Sequence, residues 1–165
     1  MLVILEGCDG VGKTTLANLL KPVLGAEIVH CTTQTPNTFE FFDALIYSAR
    51  EKNIIVDRFC YSQFVYQEET NRPLAMYKLH PIDEPERYVE NSWEALRYLE
   101  MNMLQAGVRL IYVTADAETI SKRLCEREEP ADIYTILQGY EDLWKRTLIQ
   151  PIRYVTQTLY TSYRR

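Results

Sequence analysis

Residues 6–15 read EGCDGVGKTT, and the fold follows from what this stretch does with an anion. Gly7-x-x-x-x-Gly12-Lys13-Thr14 is a complete GxxxxGK[ST] pattern, with an apolar run (LVIL, 2–5) before it and a helix-spaced segment after it. Glycines let backbone N–H groups turn inward around a phosphate, and the start of the following helix adds its positive dipole end. The expected binding residues are therefore Gly7, Asp9, Gly10, Val11, Gly12, Lys13, Thr14 and Thr15. Lys13 reaches the β- and γ-phosphates, and the Thr14 hydroxyl holds Mg²⁺. A dinucleotide-binding GxGxxG reading needs glycine at 15, where Thr15 stands. The loop thus implies a nucleoside triphosphate and leaves open whether it is hydrolysed, sensed or used as a donor.

Outward from this loop, brief apolar runs alternate with longer amphipathic segments. LVIL (2–5), AEIVH (26–30), NIIVD (53–57) and RLIYV (109–113) are brief, β-branched and nearly all apolar, as in strands covered on both faces. VTQTLYTSY (155–163) is a candidate fifth strand. Helices are predicted from Lys13 to the stop at Gly25, after an Asn37 cap, from Asn91 to Gly107, after an Asp116 cap, and from Ile133 to near Pro151. Such alternation predicts an α/β three-layer sandwich of the P-loop NTPase type, with a parallel sheet of four to five strands. One domain over 1–165 suits this length. Residues 70–90, with Pro73, Pro81 and Pro85 among charges, read as an excursion loop.

The formal net charge of −5 disfavours a broad nucleic-acid groove, though a local basic pocket stays open. The four cysteines show no CxxC pairing, and His30 and His80 stand alone, so a reduced, cytoplasmic protein is expected. The N-terminal apolar run is too short for a signal segment or a membrane span.

Residues 57–67, DRFCYSQFVYQ, form a second cluster directly after the strand NIIV. Asp57 falls at the carboxyl end of that strand, the edge on which such sheets bind ligands. Arg58 suits bidentate contact with a phosphate.

Together, EGCDGVGKTT and DRFCYSQFVYQ resemble the thymidylate kinase family, which phosphorylates deoxythymidine monophosphate with ATP. The first string fits that family's EGxDGxGKTT pattern and the second its DR-aromatic-xx-Ser-xxx-Tyr-Gln pattern; AGVRLIYVTADAETISKRLCER (106–127) is similar to its fourth strand and pre-lid helix. The resemblance implies ATP and Mg²⁺ as cofactors, with a small-molecule nucleotide as partner. A homodimer is compatible with it. It implies that Asp9 accepts the sugar 3′-OH, that Arg58 binds the acceptor phosphate, and that Asp57 sits near Mg²⁺ and the transferring group. Ser62, Tyr66 and Gln67 would lie against the acceptor, Tyr66 crowding the 2′ position, with Phe39 and Phe42 as candidates for stacking on its base.

Arg123 and Arg127 share one helix face and read as a lid around 123–132, with Arg123 on the bound nucleotide. Members of the family place a basic residue either in the loop or in the lid. Gly10 and Val11 leave the loop without a cation before Lys13, so Arg127 is expected to supply the transition-state charge. The family's thymine-reading arginine has no match: one turn after Phe39, Phe41 and Phe42 come Asp43, Leu45 and Ile46. Arg50 and Arg72 are the substitutes on offer, and Asp43 could accept from a polar 5-substituent.

The leading expectation is a pyrimidine deoxynucleoside monophosphate kinase for dTMP or a 5-substituted dUMP. A hydroxyl acceptor, a deoxynucleoside or a hydroxymethylated pyrimidine free or in DNA, would need a base such as Asp57, Asp9 or Asp43. A nucleotide-binding switch without transfer is the third class, and Arg58 with its cluster argues against it.

Overall fold

The computed structural model describes residues 1–32, 35, 38–70, 85–128 and 131–156, with backbone alone for 67–70 and 85–92. Five parallel strands form one sheet in the order β2-β3-β1-β4-β5. These are β1 (Leu2–Glu6), β2 (Glu27–His30), β3 (Ile54–Asp57), β4 (Arg109–Thr114) and β5 (Ile152–Val155). Central β1 is buried along its whole length, which is why it reads as an unbroken apolar run ending in Glu6. With β3 on one side of β1 and β4 on the other, the chain winds first one way and then the other. That reversal leaves a crevice at the carboxyl ends of the strands.

Among the described residues six helices flank the sheet: α1 (Lys13–Leu24), α2 (Phe39–Ser48), α3 (Tyr61–Thr70), α4 (Pro85–Ala106), α5 (Ala117–Cys125) and α6 (Ile133–Trp144). α1 starts from Gly12 in the left-handed region and stops at Gly25 in the same region, whose N–H bonds the Lys21 carbonyl. Leu2, Ile4, Leu5, Val56, Phe42, Phe59, Tyr61, Tyr112 and Tyr140 belong to one continuous core. Tyr140 stacks on Trp144 at 5.8 Å, so α6 carries much of the aromatic packing.

Five expectations need correction. The cap of α2 is Thr38, whose hydroxyl accepts from Phe41 N–H at 3.3 Å, rather than Asn37, which lies outside the described residues. α4 begins at Pro85, not Asn91; proline suits a first helical turn, where no N–H partner is required. The 70–90 stretch therefore includes the ends of α3 and α4, and its remainder, 71–84, lies outside the described residues. The last strand runs over Ile152–Val155, directly after Pro151, and residues 157–165 lie outside the description. α6 stops at Trp144 instead of near Pro151. The link that follows is tied down by buried Glu100, which accepts from Leu148 N–H at 2.9 Å and Tyr61 OH at 3.0 Å.

Candidate active site

β1 delivers the chain into the loop at Gly7, where φ is 142° and a Cβ would stand 2.1 Å from the Val113 carbonyl oxygen. No other residue fits there without moving β4. Gly10 and Gly12 also have positive φ, 78° and 95°. Lys13 is buried, and its Nζ donates to the carbonyls of Gly7 at 2.9 Å and Cys8 at 2.7 Å. Burial, and then the charge of Arg58, brings its ammonium down from 10.5 to about 8. The lysine side chain thus bridges two carbonyls of its own loop.

Thr14 donates its hydroxyl to Asp57 Oδ2 at 2.7 Å. Two hard oxygens at that spacing, one ionisable, are the donor type Mg²⁺ takes. His30 Nδ1 lies 3.2 Å from the same Oδ2. The pairing is a product of the sheet: His30 is directly opposite Asp57 in the β2–β3 register. Among the described residues no group of three or more His, Cys, Asp or Glu side chains stands together as a metal cluster.

Arg58 follows β3 with φ of 70°, an uncommon conformation for a residue with a side chain. Its backbone N–H donates to the Leu5 carbonyl at 3.0 Å. Its guanidinium forms an ion pair with Asp9 and lies over the Tyr66 ring at 5.2 Å. Burial alone would raise the Asp9 carboxyl; the charge and hydrogen bond of Arg58, with Lys13 and Arg127, win and hold it below the usual range.

Glu6 secures the Arg58 turn from beneath. Its carboxylate is fully buried and accepts from Phe59 N–H at 2.7 Å, Ser62 N–H at 3.3 Å, Ser62 Oγ at 3.0 Å and Tyr140 OH at 3.3 Å. Burial raises its pKa despite those bonds.

A cavity of about 250 Å³ opens over these groups. Asp9, Gly10, Gly12, Lys13, Thr14, Thr15, Asp57, Arg58 and Arg127 line it, so most of the expected site residues do converge. His30, Cys31 and Thr32 join them, although the sequence reading left them out.

Other expected residues lie elsewhere. Val11 is buried, and its carbonyl accepts from Thr156 Oγ1 at 2.9 Å. Arg123 donates to the Gly10 carbonyl at 3.0 Å and to Thr156 Oγ1 at 3.2 Å; it braces the loop from behind and does not line the cavity. Ser62 faces Glu6 rather than the cavity, so its hydroxyl is committed to the fold. Phe42 is fully buried with its ring centroid 4.5 Å from that of Phe59, which leaves no face for a base. Half-buried Phe39 meets Tyr98 at 5.5 Å. Asp43 accepts from Asn102 at 2.9 Å and is spent on α4. Arg50 is exposed beside Tyr47 at the end of α2 that meets the amino ends of the strands. Gln67 lies in α3 with its backbone alone described, and Arg72 lies outside the described residues. Besides Cys31 and Thr32, the sequence reading missed Glu6, His30 and Thr156. Glu6 stood in the quoted motif without a role, and His30 could have been found by aligning the carboxyl ends of β2 and β3.

Fold and site together define a P-loop kinase fold. A crystal structure of the YorR protein from Bacillus subtilis, in complex with phosphorylated GDP, is similar with a TM-score of 0.72 and 27% identity, over 94% of this chain and 86% of that one. Deoxyadenosine kinase from M. mycoides with bound dCTP is similar with a TM-score of 0.56 and 20% identity, over 95% and 90% of the two chains, a likeness of fold. No family model matches the chain. In sequence, the chain is 31% identical over 152 residues to the SPbeta prophage-derived uncharacterized protein YorR of Bacillus subtilis (strain 168), covering 86% of this chain and 81% of that protein. The chain belongs to the YorR family. Among the described residues no helix is long and apolar enough to cross a membrane.

Proposed function

We propose that the protein is an ATP-dependent kinase that transfers the γ-phosphoryl group to a pyrimidine deoxynucleoside monophosphate, dTMP or a 5-substituted dUMP. The observation that carries this reading is that one cavity holds two phosphate-directed groups, the Lys13–Thr14 cradle and the Arg58 guanidinium. A triphosphate uses the first; a switch or hydrolase has no use for the second. A monophosphate acceptor is already anionic, so it needs alignment and cations more than a strong base. Lys13 stabilises the γ-phosphate, Thr14 and Asp57 hold Mg²⁺, and Arg127 brings the lid's charge to the transferring group. Asp9 takes the sugar hydroxyl, with Tyr66, Gln67 and Phe39 toward the nucleoside. The chain acts as one domain, with 123–132 as its lid.

A guanine nucleotide was bound in the YorR crystal structure, and that favours a second reading in which the acceptor base is a purine. The absence of a thymine-reading arginine from α2 is compatible with either base. Incubating the protein with ATP and Mg²⁺ together with dTMP, thymidine, dGMP or no acceptor decides among them. Diphosphate formed from dTMP but not from thymidine is expected. Product from dGMP alone would establish the purine reading. Phosphorylated thymidine would move the enzyme to hydroxyl acceptors, and acceptor-independent ADP release alone would end the kinase reading.

A further inference from the structure

We propose that His30 is a third ligand of the Thr14–Asp57 cation site, and that the site therefore takes imidazole-favouring divalent metals more tightly than an all-oxygen site would. The inference rests on the reading that the cavity holds a triphosphate with its cation. His30 ends β2 and is directly opposite Asp57 in register, with Cys31 N–H donating to the Asp57 carbonyl at 3.0 Å to close the pairing. The imidazole is therefore placed by sheet hydrogen bonds rather than by a free loop. Its Nδ1 lies 3.2 Å from Asp57 Oδ2, and Thr14 Oγ1 lies 2.7 Å from that same oxygen. Neighbouring ligands of one octahedral ion with bonds of about 2.1 Å stand about 3 Å apart. Both spacings fall close to that value, and both follow from the same central carboxylate.

The His30 side chain is 49% exposed and Asp57 8%, so the carboxylate is the fixed anchor and the ring turns toward the cavity beside it. In the neutral tautomer that carries its proton on Nε2, Nδ1 offers a lone pair to the ion. Thr14 supplies a hydroxyl, Asp57 a charge and His30 a nitrogen, while phosphate oxygens and water complete the shell. Magnesium prefers oxygen throughout, whereas affinity of a nitrogen-containing site rises along the first transition row. The expected consequence is selectivity for an ion such as Co²⁺ that the loop motif alone does not confer.

Co²⁺ is the probe, titrated into the full chain saturated with a non-hydrolysable ATP analogue, with Mg²⁺ in parallel. The wild type and the variants His30→Ala and His30→Gln are compared calorimetrically. His30→Ala should weaken Co²⁺ binding about tenfold or more and change Mg²⁺ binding less than about threefold. Proton NMR of the Co²⁺ form should show a hyperfine-shifted imidazole resonance that is lost in His30→Gln and retained in His80→Gln; these are the chain's only two histidines. Equal effects on both ions, or no shifted resonance from His30, would overturn the assignment and leave the donor site standing, with His30 only a hydrogen-bond partner of Asp57. Failure of either ion to bind in the presence of nucleotide would remove the donor-site reading and this inference together.

Discussion

Buried Lys13 and half-buried Arg58 both line the cavity, and they should fail in different ways. Lys13 rests on two loop carbonyls, which fix its charge within the loop. Lys13→Ala should lower transfer by roughly 10³-fold, about 4 kcal/mol, with circular dichroism and unfolding midpoint close to wild type. Near-wild-type turnover in the folded variant would remove the donor site from this loop. Arg58→Ala should raise the acceptor KM and leave ATP affinity unchanged, since Arg58 faces Asp9 and Tyr66 across the cavity. Losing a buried, charge-assisted phosphate contact costs about 2–5 kcal/mol. Parallel measurement of ATP affinity and acceptor KM checks the split; weaker ATP binding with an unchanged KM would put Arg58 on the donor.

At the scale of elements, Glu6 is where β1, α3 and α6 meet around one carboxylate. Burial holds its pKa above 4.5. The folded state therefore binds the proton more tightly than the unfolded chain. The stabilising contribution is complete below 4.5 and is lost as pH rises through the folded value. Glu6→Gln does not titrate, so wild type should lose stability relative to the variant between pH 5 and pH 7.5. Urea midpoints of both proteins at the two pH values measure this, and a pH-independent difference would show that Glu6 keeps its ordinary ionisation. The elements themselves were largely readable from sequence, because buried parallel strands announce themselves as short β-branched runs such as IIV at 54–56. β5 was misplaced because all four of its residues are exposed, so no apolar run marks them. α4 starts earlier than the capping pattern at Asn91 indicates, because Pro85 among charges reads as loop. Loop chemistry was legible because GxxxxGK[ST] is local. Glu6 and His30 were not, because their partners come from strand order and register. Likewise, no spacing rule separates Phe42, which is fully buried in the core, from Phe39, which packs against the core half-buried.

On the scale of the whole molecule, the loop is held from its far side by the end of β5. Thr156 donates to the Val11 carbonyl at 2.9 Å, its N–H donates to the Thr114 carbonyl at 2.8 Å, and Arg123 joins Thr156 to the Gly10 carbonyl. Three segments distant in sequence thus fix one loop. A ligand that binds only the folded state stabilises it by about 2.7 kcal/mol at a hundredfold excess over Kd. ATP with Mg²⁺ should therefore raise the melting temperature of wild type, and Arg123→Ala should melt lower and gain less from the same ATP concentration. An equal gain in the two proteins would show that the brace does not shape the donor site.

Arg58 already carries a counter-ion of its own making, the Asp9 carboxylate. An anion arriving at this guanidinium exchanges one negative partner for another and does not neutralise a bare cation. Raising the ionic strength screens the approach of the ligand, and it also loosens the internal pair that must open, since Asp9 is 54% exposed. The two effects oppose each other. Acceptor affinity should then vary less steeply with salt than the charge of a nucleotide phosphate would suggest, and Asp9→Asn should restore the steeper dependence.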